Sequence, residues 1–156
     1  LPRVFCTSLA INKIEFEVVG QPVGKARPRF TKFGHVYTPA KTKDYEARLT
    51  AAAWSAMKAK KLEKTEKAVH LEVEAHMEIP SSWSKVKTLE AQFGAIRPTT
   101  KPDIDNILKC VGDAIEKAGV VENDKQIYSV KATKKYADTE TGAKIYISVS
   151  WPNGTE

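Results

Sequence analysis

The stretch "HLEVEAHMEIP", residues 70–80, leaves the backbone little choice. Leu71, Val73, Ala75, Met77 and Ile79 alternate with His70, Glu72, Glu74, His76 and Glu78. At a period of two, the apolar set falls on one face of a strand and the polar set on the other. Pro80 ends the run, because proline cannot donate to a ladder. A half-buried strand of this kind needs a sheet beside it and a layer over its apolar face.

The rest of the chain supplies both. "INKIEFEVVG" sets Ile14, Phe16 and Val18 against Glu15 and Glu17, a second half-buried strand that stops at Gly20. "VVENDKQIYSVKATKKY" predicts a turn at Asn123–Asp124 and then a strand. After the turn "ADTETG", the last strand places Ile145, Ile147, Val149 and Trp151 on one side. These two strands are expected to form a hairpin. "AKTKDYEARLTAAAWSAMKAKKL" puts Tyr45, Leu49, Ala52, Ala53, Ala56 and Met57 at helical spacing, with Lys41, Arg48, Lys58 and Lys61 outside. "SSWSKVKTLEAQFG", with a Ser cap, apolar Val86, Leu89 and Phe93, and a terminal Gly94, predicts a short helix. The order predicts one α/β (α+β) domain, a mixed β-sheet with helices packed on it.

At 156 residues the chain can bury a core without disulfides. The domain is expected over residues 11–156, and "LPRVFCTSLA", residues 1–10, as a non-native or disordered extension too weak for a signal peptide. Cys6 and Cys110 form no CxxC pair, and a reducing cytoplasm is expected. The three histidines share no ligand spacing with a cysteine, which argues against zinc.

Charge is unevenly spread. Between Lys25 and Lys61 stand ten Lys or Arg and only two acids, Asp44 and Glu46. Such an excess is the footprint of a polyanion partner. Within it, "QPVGKARPRFTKFGHVYTP" is broken by Pro22, Gly24, Pro28, Gly34 and Pro39, which favours an extended or mobile loop. Lys25, Arg27, Arg29 and Lys32 can meet phosphates there, and Phe30, Phe33 and Tyr37 can wedge or stack. The alternative is that these aromatics pack back on the core, with Phe30 as the anchor.

A helix opens acid-first in "TTKPDIDNILKCVGDAIEKAG". Ile104, Ile107, Leu108, Val111, Ala114, Ile115 and Ala118 form its apolar stripe, Asp105 falls near its N-cap and Gly119 at its end. Asp103 is expected just outside the helix, projecting to the same side as Asp105. Two carboxylates that close repel unless a cation lies between them, and a hard ion such as Mg²⁺ would resolve the conflict. Lys109 lies one turn beyond Asp105, on the same face. Asp124 waits in the turn before the next strand.

"KPDIDNILKCVGDAIEKAGVVENDKQI" resembles the RusA family of Holliday junction resolvases, whose pattern is D-x-D-N-x-x-K, a helix, and a turn ending in aspartate before a strand. "PVGKARPRF" and "VYTPAKTKDYE" are similar to the phage and prophage branch of that family. The resemblance, from about Ile14 to Trp151, implies Asp103, Asp105 and Asp124 as metal-binding catalytic carboxylates and Lys109 as the catalytic lysine. It also implies a Mg²⁺ cofactor, with Mn²⁺ able to substitute, a homodimer, and a four-way DNA junction as substrate. Paired symmetric nicks with 5′-phosphate and 3′-hydroxyl ends would follow. A junction-binding protein that does not cut, or a nuclease acting on forks or flaps, are the competing expectations. No heptad pattern marks a dimer seam, so the homodimer comes from the resemblance alone.

Overall fold

The alternation of residues 70–77 becomes the strand β4 (Val69–Met77), in which buried and half-buried residues alternate along its whole length. Around it the chain runs β1 (Ile11–Val19), β2 (Arg29–Phe30), β3 (Val36–Tyr37), α1 (Ala40–Ala59), β4, α2 (Lys85–Gln92), α3 (Ile104–Lys117), β5 (Ile127–Tyr136) and β6 (Lys144–Pro152). The structure is a computed structural model and describes residues 10–154. Apart from Ala10, the expectation for residues 1–10 lies outside the described residues.

Four strands make one mixed sheet in the order β1-β6-β4-β5. β6 runs antiparallel to both neighbours, pairing Ile147 with Phe16 on one side and with Val73 on the other. β4 and β5 are parallel. The hairpin expected between β5 and β6 is therefore not formed, because β4 lies between them. The reason is burial. Ile145, Ile147 and Val149 of β6 are completely buried and suit a central strand, whereas Tyr128 and Val130 of β5 stay exposed, as an edge allows. Residues 137–143 cross over the end of β4, where the Ala137 amide donates to the Met77 carbonyl at 2.8 Å.

The core lies between this sheet and the pair α1 and α3. Ile14, Leu71, Ile145 and Ile147 meet Leu49, Ala53, Ile107, Val111 and Ile115, all essentially inaccessible to water. Each buried Leu or Ile contributes about 1.5–3 kcal/mol by leaving water. The opposite sheet face is polar. There His70 approaches Ser129 and Glu72, and His76 approaches Glu74. Cys110 is fully buried, and desolvation pushes its thiol up to about 11.

Two helices depart from the expected pattern. α2 starts where a Ser cap places it, with Ser84 accepting from the Lys87 amide, but Val86, Leu89 and Phe93 face solvent and Ala91 is its buried residue. Trp83, packed edge-on against Tyr136 at 5.2 Å, lies just before this helix. In α1 a carboxylate shares the buried stripe: Glu46 is only 4% exposed. Among the described residues no helix is long and apolar enough to cross a membrane.

Candidate active site

α3 begins at Ile104, so its N-cap lies two residues before Asp105, near which it was expected. Asp103, not Asp105, occupies the N-cap, with extended backbone (φ −70°, ψ 150°) and its carbonyl accepting from the Ile107 amide at 3.1 Å. Its side chain caps nothing. Asp105 falls in the first turn, and Ile104 between them is partly exposed rather than buried. Both carboxylates are exposed, and neither has a hydrogen-bond or ion-pair partner among the described residues. The positive end of the helix dipole favours acids there. It does not use up their oxygens.

Lys109 lies one turn on. Its Nζ is 3.5 Å from Asp113 Oδ1 and 3.5 Å from Asp124 Oδ2. Asp113 first, and Asp124 second, hold this ammonium above its ordinary value, so it is a cation throughout the neutral range. Asp124 opens a single 3-10 turn (Asp124–Gln126) that is fixed at several points. Asn123 and Gln126 form a capping box, the Gln126 side chain donates to the Thr65 and Lys67 carbonyls at 2.9 Å, and the Asp124 amide donates to Glu116 Oε1 at 3.0 Å. Gly112 of α3 lies alongside it: a Cβ there would be in ordinary contact with that of Asp124, at 3.8 Å. Glu122 turns away to Lys64 at 2.6 Å.

Gly112 is seven residues beyond Asp105, about 10 Å along the helix axis. The structure thus places Asp103 at the N-cap and Asp105 in the first turn of α3, and sets Asp124 beside Lys109 further along the helix. It does not gather the three aspartates, for among the described residues no three carboxylate, imidazole or thiol groups come together to hold one ion. The chemistry of the first pair still fits a hard divalent cation. Such an ion takes one or two carboxylates and completes its shell with water and phosphate oxygens, and Asp103 and Asp105 have oxygens to offer.

The basic loop is pinned to this helix. A Cβ on Gly24 would meet Asn106 Cβ at 2.9 Å and Pro102 Cβ at 3.0 Å, so only glycine allows the approach. The Lys25 amide donates to the Asn106 carbonyl at 2.9 Å. Beyond it, Arg27, Arg29 and Lys32 are exposed, and β2 and β3 form a two-stranded ribbon. Thr31 organises its tip, its Oγ1 accepting from the amides of Phe33 and His35. Phe30 and Phe33 are 73% and 77% exposed. Phe30 is therefore not an anchor on the core. Next to Asp103, a cleft of about 360 Å³ between loop, α1 and Pro102 is lined by Arg29, Lys41 and Lys101.

Lys25 behaves differently from the other loop cations. Its Nζ lies 3.3 Å from both oxygens of Glu46 and 3.1 Å from Asp113 Oδ2. Burial alone would lower this ammonium, but Asp113 and Glu46 outweigh it and hold it above its ordinary value. Lys117 reaches Glu46 as well, at 3.3 Å. Sequence reasoning missed Glu46 as a partner. Its signal was an acid directly after Tyr45 on the buried side of an otherwise apolar stripe.

Comparison with known proteins adds three findings. The family model described as "Endodeoxyribonuclease RusA" matches residues 19–149. The chain is 35% identical to an uncharacterised Bacillus subtilis protein, YqaN, over 130 residues, covering 80% of this chain and 89% of that protein. It is 47% identical to the crossover junction endodeoxyribonuclease RusA of Aquifex aeolicus over 47 residues, covering 30% of this chain and 37% of that protein.

Proposed function

The chain belongs to the RusA family and is an endodeoxyribonuclease, and from that premise we propose that it resolves Holliday junctions by Mg²⁺-dependent paired nicking. The observation that carries the reading is the pair of free carboxylates, Asp103 and Asp105, opening a helix whose same face carries Lys109 and meets Asp124. Asp103 and Asp105 would hold the cation against the scissile phosphate. When bound, a divalent ion lowers the pKa of a water and stabilises the oxygens of an in-line displacement. Lys109 offsets the charge that builds on the phosphate oxygens. As Lys109 turns to the phosphate it releases Asp124, which supplies the third carboxylate of the site.

Arg27, Arg29 and Lys32 contact the DNA backbone, with Phe30 and Phe33 stacking on bases opened at the junction centre. Cutting two opposed strands needs two active sites, so the working unit is a homodimer. Apolar Val86, Leu89 and Phe93 on α2 give the monomer surface that an interface could cover. The test is cleavage of a labelled mobile four-way junction beside linear duplex and fork, with Mg²⁺, Mn²⁺ or chelator. Symmetric nicks confined to the junction and lost with chelator are expected. Preferential cutting of forks would reassign the substrate, and junction binding without nicks under either metal would refute the proposed resolvase activity.

A further inference from the structure

Five charged side chains alternate in sign from the core to the active-site surface. Glu46 contacts Lys25, Lys25 contacts Asp113, Asp113 contacts Lys109, and Lys109 contacts Asp124. Side-chain exposure separates the anchor from the working end, at 5% for Glu46, 26% for Lys25, 21% for Asp113 and 58% for Lys109. The chain of contacts ties the basic loop, α1, α3 and the turn of Asp124 together. Lys25 and Lys109 share one carboxylate, Lys25 on Oδ2 and Lys109 on Oδ1.

We propose that Lys25, anchored by buried Glu46, is a positioning residue that partly neutralises Asp113 and so leaves Lys109 free to turn to the substrate phosphate. A carboxylate facing one cation attracts it more strongly than one already shared between two. With Lys25 absent, Asp113 would direct its whole charge onto Lys109 and pin it. Glu46 keeps Lys25 in place, where the nearby phosphodiester backbone would otherwise compete for its ammonium. Lys25, in this arrangement, acts through Lys109 and makes no phosphate contact of its own.

The inference rests on the nuclease reading above, and its test separates the two. Lys25→Met, and Lys25→Met combined with Asp113→Asn, are compared with wild type in single-turnover cleavage at saturating enzyme. Junction, fork and duplex serve as substrates, with affinity followed against salt and melting temperature recorded. Lys25→Met is expected to cut about tenfold more slowly, with unchanged affinity and salt slope. Asp113→Asn in that background is expected to restore the rate to within about threefold, because it removes the charge that pins Lys109. If Lys25 instead touches phosphate, affinity falls, the salt slope drops by about one, and the second substitution rescues nothing. That result, or a wild-type rate in Lys25→Met, overturns the inference and leaves the nuclease reading intact. A wild type that cuts none of the three DNAs overturns both. Should Lys25→Met fail to fold, Lys25→Gln keeps a polar tip of similar reach and decides by the same outcomes.

Discussion

Of the proposed site residues, Asp103 and Asp124 are held by different means, one at a cap that bonds nothing with its side chain and one behind a lysine. That difference assigns their partners. Asp103 is exposed to solvent, while in the proposed mechanism Asp124 is first released by Lys109. Lys109→Ala should therefore cost at least about tenfold in cleavage rate, as loss of a cation at the reacting phosphate does. Junction affinity, measured in the same samples by titration, should change little. Glu46 belongs to stability as well as to the site. Glu46→Ala is expected to lower unfolding free energy by roughly 2–3 kcal/mol, the low side for breaking a buried pair because Lys25 keeps Asp113; denaturant titration checks it. The acids and Lys109 were legible in the sequence because they sit at fixed spacings on one helix and one turn. The Lys25–Glu46 pair joins residues 21 apart on two different elements, and periodicity, which sorts apolar from polar positions, carries no information about such a partner.

At the scale of elements, a backbone approach links the basic loop to the acid-bearing helix. Gly24 lies against Asn106 and Pro102 with no room for a methyl group. Gly24→Ala should displace the loop from α3 and lower both junction affinity and cleavage while leaving the core, and so the melting temperature, within a few degrees of wild type. Substituting Arg27 and Arg29 together by Gln should weaken binding and reduce its log–log salt slope by about two, roughly 0.9 for each phosphate no longer neutralised. An unchanged slope would remove these arginines from the DNA-binding surface. Element types were readable because burial imposes a period: β4 alternates as written, and α3 buries Ile107, Val111 and Ile115. Partnership was not. The turn after Tyr136 suggested a hairpin by local chemistry, but a central strand is chosen by how much apolar surface each position can cover, and the fully apolar face of β6 suits that place better than β5 does.

For the whole molecule, two helices on one face of a four-stranded sheet leave Val86, Leu89 and Phe93 uncovered at its periphery. Their helical pattern is plain in the sequence, but periodicity cannot distinguish an apolar face buried in the same chain from one left to solvent. A homodimer built on this surface should fall apart when Val86 and Phe93 are both changed to Glu, with light scattering showing a folded monomer; a persistent dimer would place the interface elsewhere. The proposed mechanism depends on separating cutting from binding at the start of α3. The most direct measurement is junction binding and junction cleavage by Asp103→Asn, in one titration with Mg²⁺ beside wild type. Cleavage abolished with affinity retained or improved is the predicted result, since the substitution removes a charge that repels phosphate but also the carboxylate that holds the cation. Cleavage at the wild-type rate, or loss of binding by a folded variant, would contradict the assignment of Asp103 to the metal and the scissile phosphate.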